Sequence, residues 1–166
     1  MEDWLWASQF IQSQALKTAI QSHRLAAPHC MGTLFWQLND CWPGASWSVI
    51  DYYGNEKIAY EEIQQQFSPI IAIADTANGK FSITIQSEIP AEGILYVQHY
   101  LISGDAPKRI EIKFKVEAFK PQVVLSFRLK KFIQKGLLNL DFIYYKLGQD
   151  EFYFEDHFLF RKLSRQ

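Results

Sequence analysis

Residues 36–47 bring together side chains that suit the binding of a sugar. Three tryptophans, an asparagine and an aspartate stand within this stretch, which Pro43 and Gly44 break into a loop. A pyranose has an apolar face that packs on an indole, and hydroxyl groups that pair with amides and carboxylates. Loops at strand ends commonly carry such binding residues. The candidate binding residues are Trp36, Asn39, Asp40, Trp42 and Trp47.

The same composition is also typical of ordinary packing, because large aromatic side chains are often part of a core. Residue types alone therefore indicate either a carbohydrate or aromatic-ligand loop or a structural cluster. The four histidines are scattered and stand at no spacing typical of a catalytic or metal site. We therefore predict neither a metal nor a cofactor.

The segment from Gly32 to Lys57 resembles a known family. It reads GTLFWQLNDCWPGASWSVIDYYGNEK, which is similar to the segment with the eighth barrel strand in the β-mannosidases of glycoside hydrolase family 2. The resemblance covers about residues 4–70 and, more weakly, the rest of the chain. The matched positions are Gly32 to Asp40, Trp42-Pro43, Ser46 to Ser48, Asp51-Tyr52, Gly54 and Lys57.

The resemblance implies a retaining glycosidase that acts on a mannoside or a related oligosaccharide. Such an enzyme needs two carboxylates about 5–5.5 Å apart. In this family both are glutamates on earlier barrel strands, upstream of the segment matched here. We therefore expect no catalytic residue in this chain and expect the chain alone to be inactive.

The resemblance also implies roles for the loop residues. Trp36 is expected to lie against the sugar in the cleaved subsite. Asn39 and Asp40 are expected to pair with sugar hydroxyls or catalytic carboxylates, although Asp40 could instead orient its neighbours. Trp42 and Trp47 either line the entrance or pack the loop.

A helix, a strand and a second helix are predicted to position this loop. Residues 3–24 carry an apolar helical face that ends before Pro28, and residues 31–38 are a short apolar run typical of a buried strand. Residues 55–67 are predicted to form the second helix. A complete barrel takes about 250 residues, so we predict that residues 1–68 are an incomplete end of a (β/α)8 barrel. The remainder of the barrel is then expected to be a binding partner of this chain.

From Pro69 onward the apolar residues alternate with a period of two, which is typical of strands. Breakers such as Asn78-Gly79 and Pro121 separate seven short runs. We therefore predict an immunoglobulin-like β-sandwich over residues 69–166. The predicted strands are 70–74, 81–85, 93–102, 110–116, 123–129, 138–142 and 152–160.

Composition supports this division and excludes some partners. All five tryptophans precede residue 69, and residues 1–68 hold three basic against seven acidic residues. The net charge of −1 makes no electrostatic case for nucleic acid or an anionic membrane. No apolar run is long enough to predict a membrane span. The sequence indicates no particular compartment.

Three functions therefore compete. The chain is the C-terminal part of a β-mannosidase, a carbohydrate-binding module whose sandwich holds sugar through Tyr96, His99 and Tyr100, or a purely structural module of a glycoside hydrolase. If the rest of the barrel is missing, the apolar faces of the first helix and strand should be exposed. Such faces promote self-association.

Overall fold

A computed structural model describes residues 2–101, 108–128, 136–146 and 149–160. The chain forms two units that divide between Ser68 and Pro69. The first unit contains helices α1 (Glu2–Leu25) and α2 (Ile58–Gln66). The second unit contains strands β1 (Ile70–Ala77), β2 (Lys80–Ser87), β3 (Ala91–Leu101), β4 (Lys108–Val116), β5 (Gln122–Arg128), β6 (Gly136–Lys146) and β7 (Gln149–Phe160).

Helix α1 confirms the helix predicted over residues 3–24. Its first turn carries Glu2 and Asp3 and its last turn carries Arg24, which places charge of the favourable sign at each end of the helix dipole. One face of α1 packs on α2 and on the segment between the helices. The buried core of this unit consists of Ile20, Val49, Ala59 and Ile63.

The strand predicted over residues 31–38 is wrong, because this segment belongs to no sheet in the structure. A strand exists only when its backbone groups pair with a neighbour. Residues 31–36 make no backbone–backbone hydrogen bond to any described residue. The apolar run is therefore present without the hydrogen-bonded partner that would make it a strand. The peptide bonds Ala27–Pro28 and Trp36–Gln37 are cis.

Helix α2 begins at Ile58, three residues later than the predicted start at Asn55. The backbone of residues 56 and 57 is hydrogen-bonded to another segment. Glu56 forms a bridge with Ile50, and the Lys57 N–H donates to the Val49 carbonyl at 2.9 Å. Those pairings are incompatible with helical geometry. The sequence pattern could not show them because they join separate segments.

Helix α1 supplies hydrogen bonds to both ends of α2. At the N-terminus, the Ile58 N–H donates to Gln9 Oε1 at 3.3 Å, and the N-cap residue Lys57 makes no side-chain cap. At the C-terminus, buried Arg24 donates to the carbonyls of Gln66 and Ser68, each at 2.7 Å. The terminal groups of a helix need such partners. The position of α2 therefore depends on α1.

All seven predicted strands of the second unit are present, each within about three residues of its predicted start. They form two antiparallel sheets with strand orders β1-β2-β5 and β4-β3-β6-β7. Strands β1 and β2 bury runs of consecutive residues, Ile70 to Ile73 in β1 and Ile83 to Ser87 in β2. The buried apolar residues of the unit include Phe81, Ile83, Ile85, Leu95, Val97, Phe114 and Val116. The C-terminal positions 102 and 129 of two predicted strands lie outside the described residues.

The turn between β1 and β2 shows why Asn78-Gly79 was an informative signal. Both residues have positive φ, 52° for Asn78 and 71° for Gly79. A two-residue hairpin loop of this kind matches the twist of the flanking strands, and Asn and Gly adopt it at low cost. The strands pair from Ala77 opposite Lys80 to Ile70 opposite Ser87. Among the described residues, no helix has the length and apolarity to cross a membrane.

Two matched substitutions on α1 test the core of the first unit. Ile20 is 1% exposed and Ile11 is 67% exposed, and both lie within the same helix. We expect Ile20→Ala to lower the free energy of unfolding by about 2–5 kcal/mol, because it deletes buried methyl groups and leaves a cavity. Ile11→Ala should change it by less than about 0.5 kcal/mol.

Urea denaturation followed by tryptophan fluorescence measures this unit selectively, because all five tryptophans lie in it. Equal losses for the two variants would show that Ile20 is not part of a packed core.

Candidate functional site

The tryptophan-rich loop is closed by backbone hydrogen bonds at its base. The Ile50 N–H donates to the Leu38 carbonyl at 2.8 Å, and the Asp40 N–H donates to the Ile50 carbonyl at 3.0 Å. This pairing is an isolated parallel bridge between Asn39 and Ile50. It brings the two ends of the segment 40–49 together. The loop is therefore anchored next to Val49, a core residue that directly precedes Ile50.

Inside the loop, the ammonium group of Lys57 lies among three oxygen atoms. Lys57 Nζ is 2.8 Å from Ser48 Oγ, 3.3 Å from Asp40 Oδ2 and 3.4 Å from Ser46 Oγ. An ammonium has three hydrogens to donate, so each has an acceptor here. The side chains of Lys57 and Asp40 are only 12% and 6% exposed. This arrangement satisfies a charge that burial would otherwise destabilise.

The carboxylate of Asp40 is held by the same group of residues. Ser46 Oγ donates to Asp40 Oδ1, and Lys57 pairs with Asp40 Oδ2. Hydrogen bonds from Ser46 and Ser48, followed by that from Lys57 and its charge, lower the pKa of Asp40 below its ordinary value of 3.8, although burial acts the other way. Asp40 is therefore an ionised anchor of the loop.

Asp51 organises the turn that leads to α2. Its Oδ1 accepts the N–H groups of Tyr53 at 2.9 Å and Asn55 at 2.8 Å, and its Oδ2 accepts the Asn55 amide at 2.8 Å. These bonds, first of all that from the Asn55 side chain, lower the pKa of the Asp51 carboxyl. Gly54, at φ 86°, provides the left-handed residue that the turn needs.

The five candidate binding residues separate into two groups. Asp40 is buried, whereas Trp36, Trp42 and Trp47 are 77%, 74% and 63% exposed. Asn39 is also exposed, and its amide donates to the Asp40 carbonyl at 3.3 Å. The buried polar network thus stands at the base of a loop whose indoles face outward. Open indole faces and an exposed amide are groups that a sugar can contact.

A cleft of about 510 Å³ lies between α1 and this loop. Of the candidate binding residues, only Trp47 lines it. A site role for the α1 residues and for Glu56 in this cleft is not predictable from the sequence, because their proximity to the loop arises only from folding. The α1 residues that line it are Trp4, Leu5, Ser8, Gln9 and Gln12. In the described part of the chain, no three His, Cys, Asp or Glu side chains group as metal ligands would.

Comparison with known proteins relates this geometry to glycosidases. No family model matches the chain. Beta-mannosidase B of Thermothelomyces thermophilus is 33% identical over 75 residues, which are 42% of this chain and 9% of that protein. Beta-mannosidase B of Aspergillus niger is 31% identical over 87 residues, which are 51% of this chain and 10% of that protein.

Solved structures extend the similarity to almost the whole chain. The β-D-mannosidase of Dictyoglomus thermophilum matches with a TM-score of 0.76 and 28% identity, over 93% of this chain and 20% of that chain. The exo-chitosanase of Amycolatopsis orientalis matches with a TM-score of 0.69 over 95% of this chain and 19% of that chain. At 15% identity, the second match shows the fold alone.

The fold and the loop are therefore similar to part of a glycoside hydrolase. More particularly, the resemblance of this chain to the C-terminal part of β-mannosidases is confirmed. The chain spans about a tenth of the length of the curated relatives and a fifth of the bacterial enzyme.

The hydrogen bonds of Asp40 generate a prediction about pH. We expect Ser46→Ala to raise the pKa of Asp40 toward 3.8, because the first cause of its lowering is removed. NMR titration of the carboxyl carbons measures this change. Ser8→Ala is the matched control, since Ser8 donates to the Leu5 carbonyl of its own helix. An unchanged Asp40 titration in Ser46→Ala would contradict the network.

The same group should affect stability in acid. A carboxyl whose folded pKa is lowered stabilises the folded state above its ordinary pKa, and this contribution disappears as the pH falls through the lowered value. We therefore expect the Asp40→Asn variant to lose less unfolding free energy on acidification below 3.8 than the wild type loses.

Proposed function

We propose that this chain is the C-terminal portion of a retaining β-mannosidase that hydrolyses terminal β-mannosides. In this proposal residues 1–68 end the (β/α)8 catalytic barrel of glycoside hydrolase family 2, and residues 69–166 are an immunoglobulin-like sandwich. The observation that carries it is the match to a bacterial β-D-mannosidase over 93% of the chain at 28% identity. The chain supplies part of the wall of the sugar site.

Exposed aromatic residues support this role for the loop. The indole of Trp36 makes no ring contact or hydrogen bond to the other described residues, so its face is open to a sugar. Trp36 forms the floor of the cleaved subsite in this proposal, with Asn39 beside it. Trp42 and Trp47 line the entrance. Asp40 acts through the loop, because its two oxygens already pair with Ser46 and Lys57.

The state of the loop carboxylates supports a catalytic pair elsewhere in the polypeptide. A general acid needs a raised pKa and a nucleophile needs an accessible oxygen. Asp40 is buried with a lowered pKa, and both Asp51 oxygens accept bonds within its own turn. We therefore assign both catalytic carboxylates to glutamates of a preceding segment, and we expect this chain alone to be inactive.

The apolar surface of the first unit supports the barrel assignment. Residues 31–36 have no backbone hydrogen-bond partner among the described residues, and Leu34 in this segment and the nearby Leu38 are exposed. In a barrel, neighbouring strands would pair with this segment and cover it. The N-terminal part of α1 is exposed as well. Its exposed apolar residues outside the cleft are Trp6, Phe10 and Ile11. The partner in this proposal is the remainder of the barrel, and self-association replaces it when the chain is alone.

The sandwich fits a structural role better than a sugar-binding one. The Arg109 guanidinium stands 3.9 Å from the centre of the Tyr96 ring, so one face of that ring is already covered. The side chains of His99 and Tyr100 lie outside the described residues. Tyr96 thus contributes no open platform on the face that Arg109 occupies. This observation favours a bracing module as the second candidate function of residues 69–166.

A chimeric enzyme tests the proposed function. The part of the Dictyoglomus thermophilum β-D-mannosidase that matches this chain is replaced by residues 1–166. We expect the chimera to hydrolyse p-nitrophenyl β-mannoside and the isolated chain not to. Trp36→Ala in the chimera should lower kcat/KM by roughly a hundredfold, or about 2.7 kcal/mol of transition-state stabilisation.

Trp36→Phe is the conservative control, because it keeps an aromatic face at the same position and should retain more activity than Trp36→Ala. If Trp36→Ala keeps the kcat/KM of the unsubstituted chimera, Trp36 is not part of the cleaved subsite. Activity of the isolated chain would place a catalytic carboxylate within these residues.

A further inference from the structure

The cleft between α1 and the loop contains several groups that the proposed function does not use, and shares with it only Trp47. Two exposed indoles line it, Trp4 on α1 and Trp47 on the loop, with Trp4 72% exposed. Neither ring stacks on another aromatic side chain among the described residues. An indole on each of the two bounding segments provides apolar faces for a ring that enters between them.

Hydrogen bonds already hold the walls of this cleft together. Gln12 Nε2 donates to the Trp47 carbonyl at 2.6 Å, which joins α1 to the loop. Gln9 Oε1 accepts the Ile58 N–H at 3.3 Å, which joins α1 to the start of α2. A ligand that enters does not have to order these segments. Preformed walls reduce the free-energy cost of binding.

Polar groups of both kinds remain available inside the cleft. The amide nitrogen of Gln9 and the amide oxygen of Gln12 are the unused ends of side chains whose other ends are bonded. Asn55 donates its amide to Asp51 and keeps its amide oxygen, and the exposed carboxylate of Glu56 stands nearby in the lining. Donors and acceptors beside open indoles are what a ring of hydroxyls requires.

We propose that this cleft, which Trp36 does not line, is an accessory saccharide-binding site. Its ligand is a short mannose-containing oligosaccharide, with one pyranose against Trp4 and Trp47 and its hydroxyls on the amides of Gln9 and Gln12. The choice of mannose rests on the proposed function. The site itself rests on the cleft, its indoles and its unused amides.

The site is tested on the whole chain with fluorotryptophan in place of tryptophan. The five indoles then give five fluorine NMR signals, each assigned by a single Trp→Phe substitution. On titration with β-linked mannotriose, we expect the Trp4 and Trp47 signals to shift with one common Kd. The Trp6 signal should not shift, because Trp6 stacks on Phe10 with ring centroids 5.2 Å apart and does not line the cleft.

Trp4→Ala should weaken binding at Trp47 by roughly tenfold, the change that corresponds to about 1.4 kcal/mol. Trp6→Ala, the same substitution two positions along the same helix, should leave the Kd unchanged. Circular dichroism checks that both variants keep their fold. If the Trp4 and Trp47 signals do not respond to millimolar mannotriose, or if Trp4→Ala binds as well as Trp6→Ala, the cleft is not a saccharide site.

The Trp36 signal separates this inference from the proposed function. A response of Trp36, with or without Trp47, in the absence of a response of Trp4 would support the sugar-binding wall and overturn the cleft site. A response of Trp4 and Trp47 without Trp36 would support the cleft site independently of the wall. Silence of all the signals in a folded chain overturns the accessory site, whereas the chimera still decides the proposed function.

Discussion

The ammonium group of Lys57 determines the shape of the tryptophan-rich loop. It enters a largely buried position, where an unpaired charge would be costly. Asp40 balances the charge, and Ser46 and Ser48 accept the remaining hydrogens. The loop must fold around this group for every partner to reach it. Asp40 and Ser48 are consequently buried, and the indoles are left on the outside.

Helix α1 constrains the first unit in a second way. It contributes Ile20 to the apolar core and caps α2 at both ends through Gln9 and Arg24. It also holds the loop through Gln12. One helix therefore links the core, the second helix and the loop. The cleft beside Trp47 results from this arrangement, because Gln12 and Trp47, which join α1 to the loop, also line the cleft.

The two units differ in how completely they bury their apolar residues. The second unit encloses large side chains such as Phe81, Leu95 and Phe114 between its sheets. The first unit leaves the aromatic N-terminal part of α1 and the segment at Leu34 exposed. Buried apolar area is the main source of folding free energy. A unit with this much exposed apolar surface gains stability when further structure covers it, as the barrel proposal requires.

Local patterns in the sequence were sufficient for α1 and for the seven strands of the second unit. Their apolar periodicity, the breakers between them and the Asn78-Gly79 turn all act over a few residues. The resemblance to β-mannosidases was also available from the sequence, since it rests on residue identities around Trp36 and Trp47. No tertiary contact was needed for either inference.

Tertiary structure alone decided the features that depend on distant residues. The strand predicted over 31–38 needs a neighbouring strand that the described chain does not provide. Helix α2 begins after its predicted start because the backbone groups of Glu56 and Lys57 pair with Ile50 and Val49. The bond from Ile58 to Gln9 joins residues 49 positions apart, and that from Gln12 to Trp47 joins residues 35 apart. A sequence shows the type of the Asp40 side chain but not its partners. Its pairing with Lys57, 17 positions away, exists only in the folded chain.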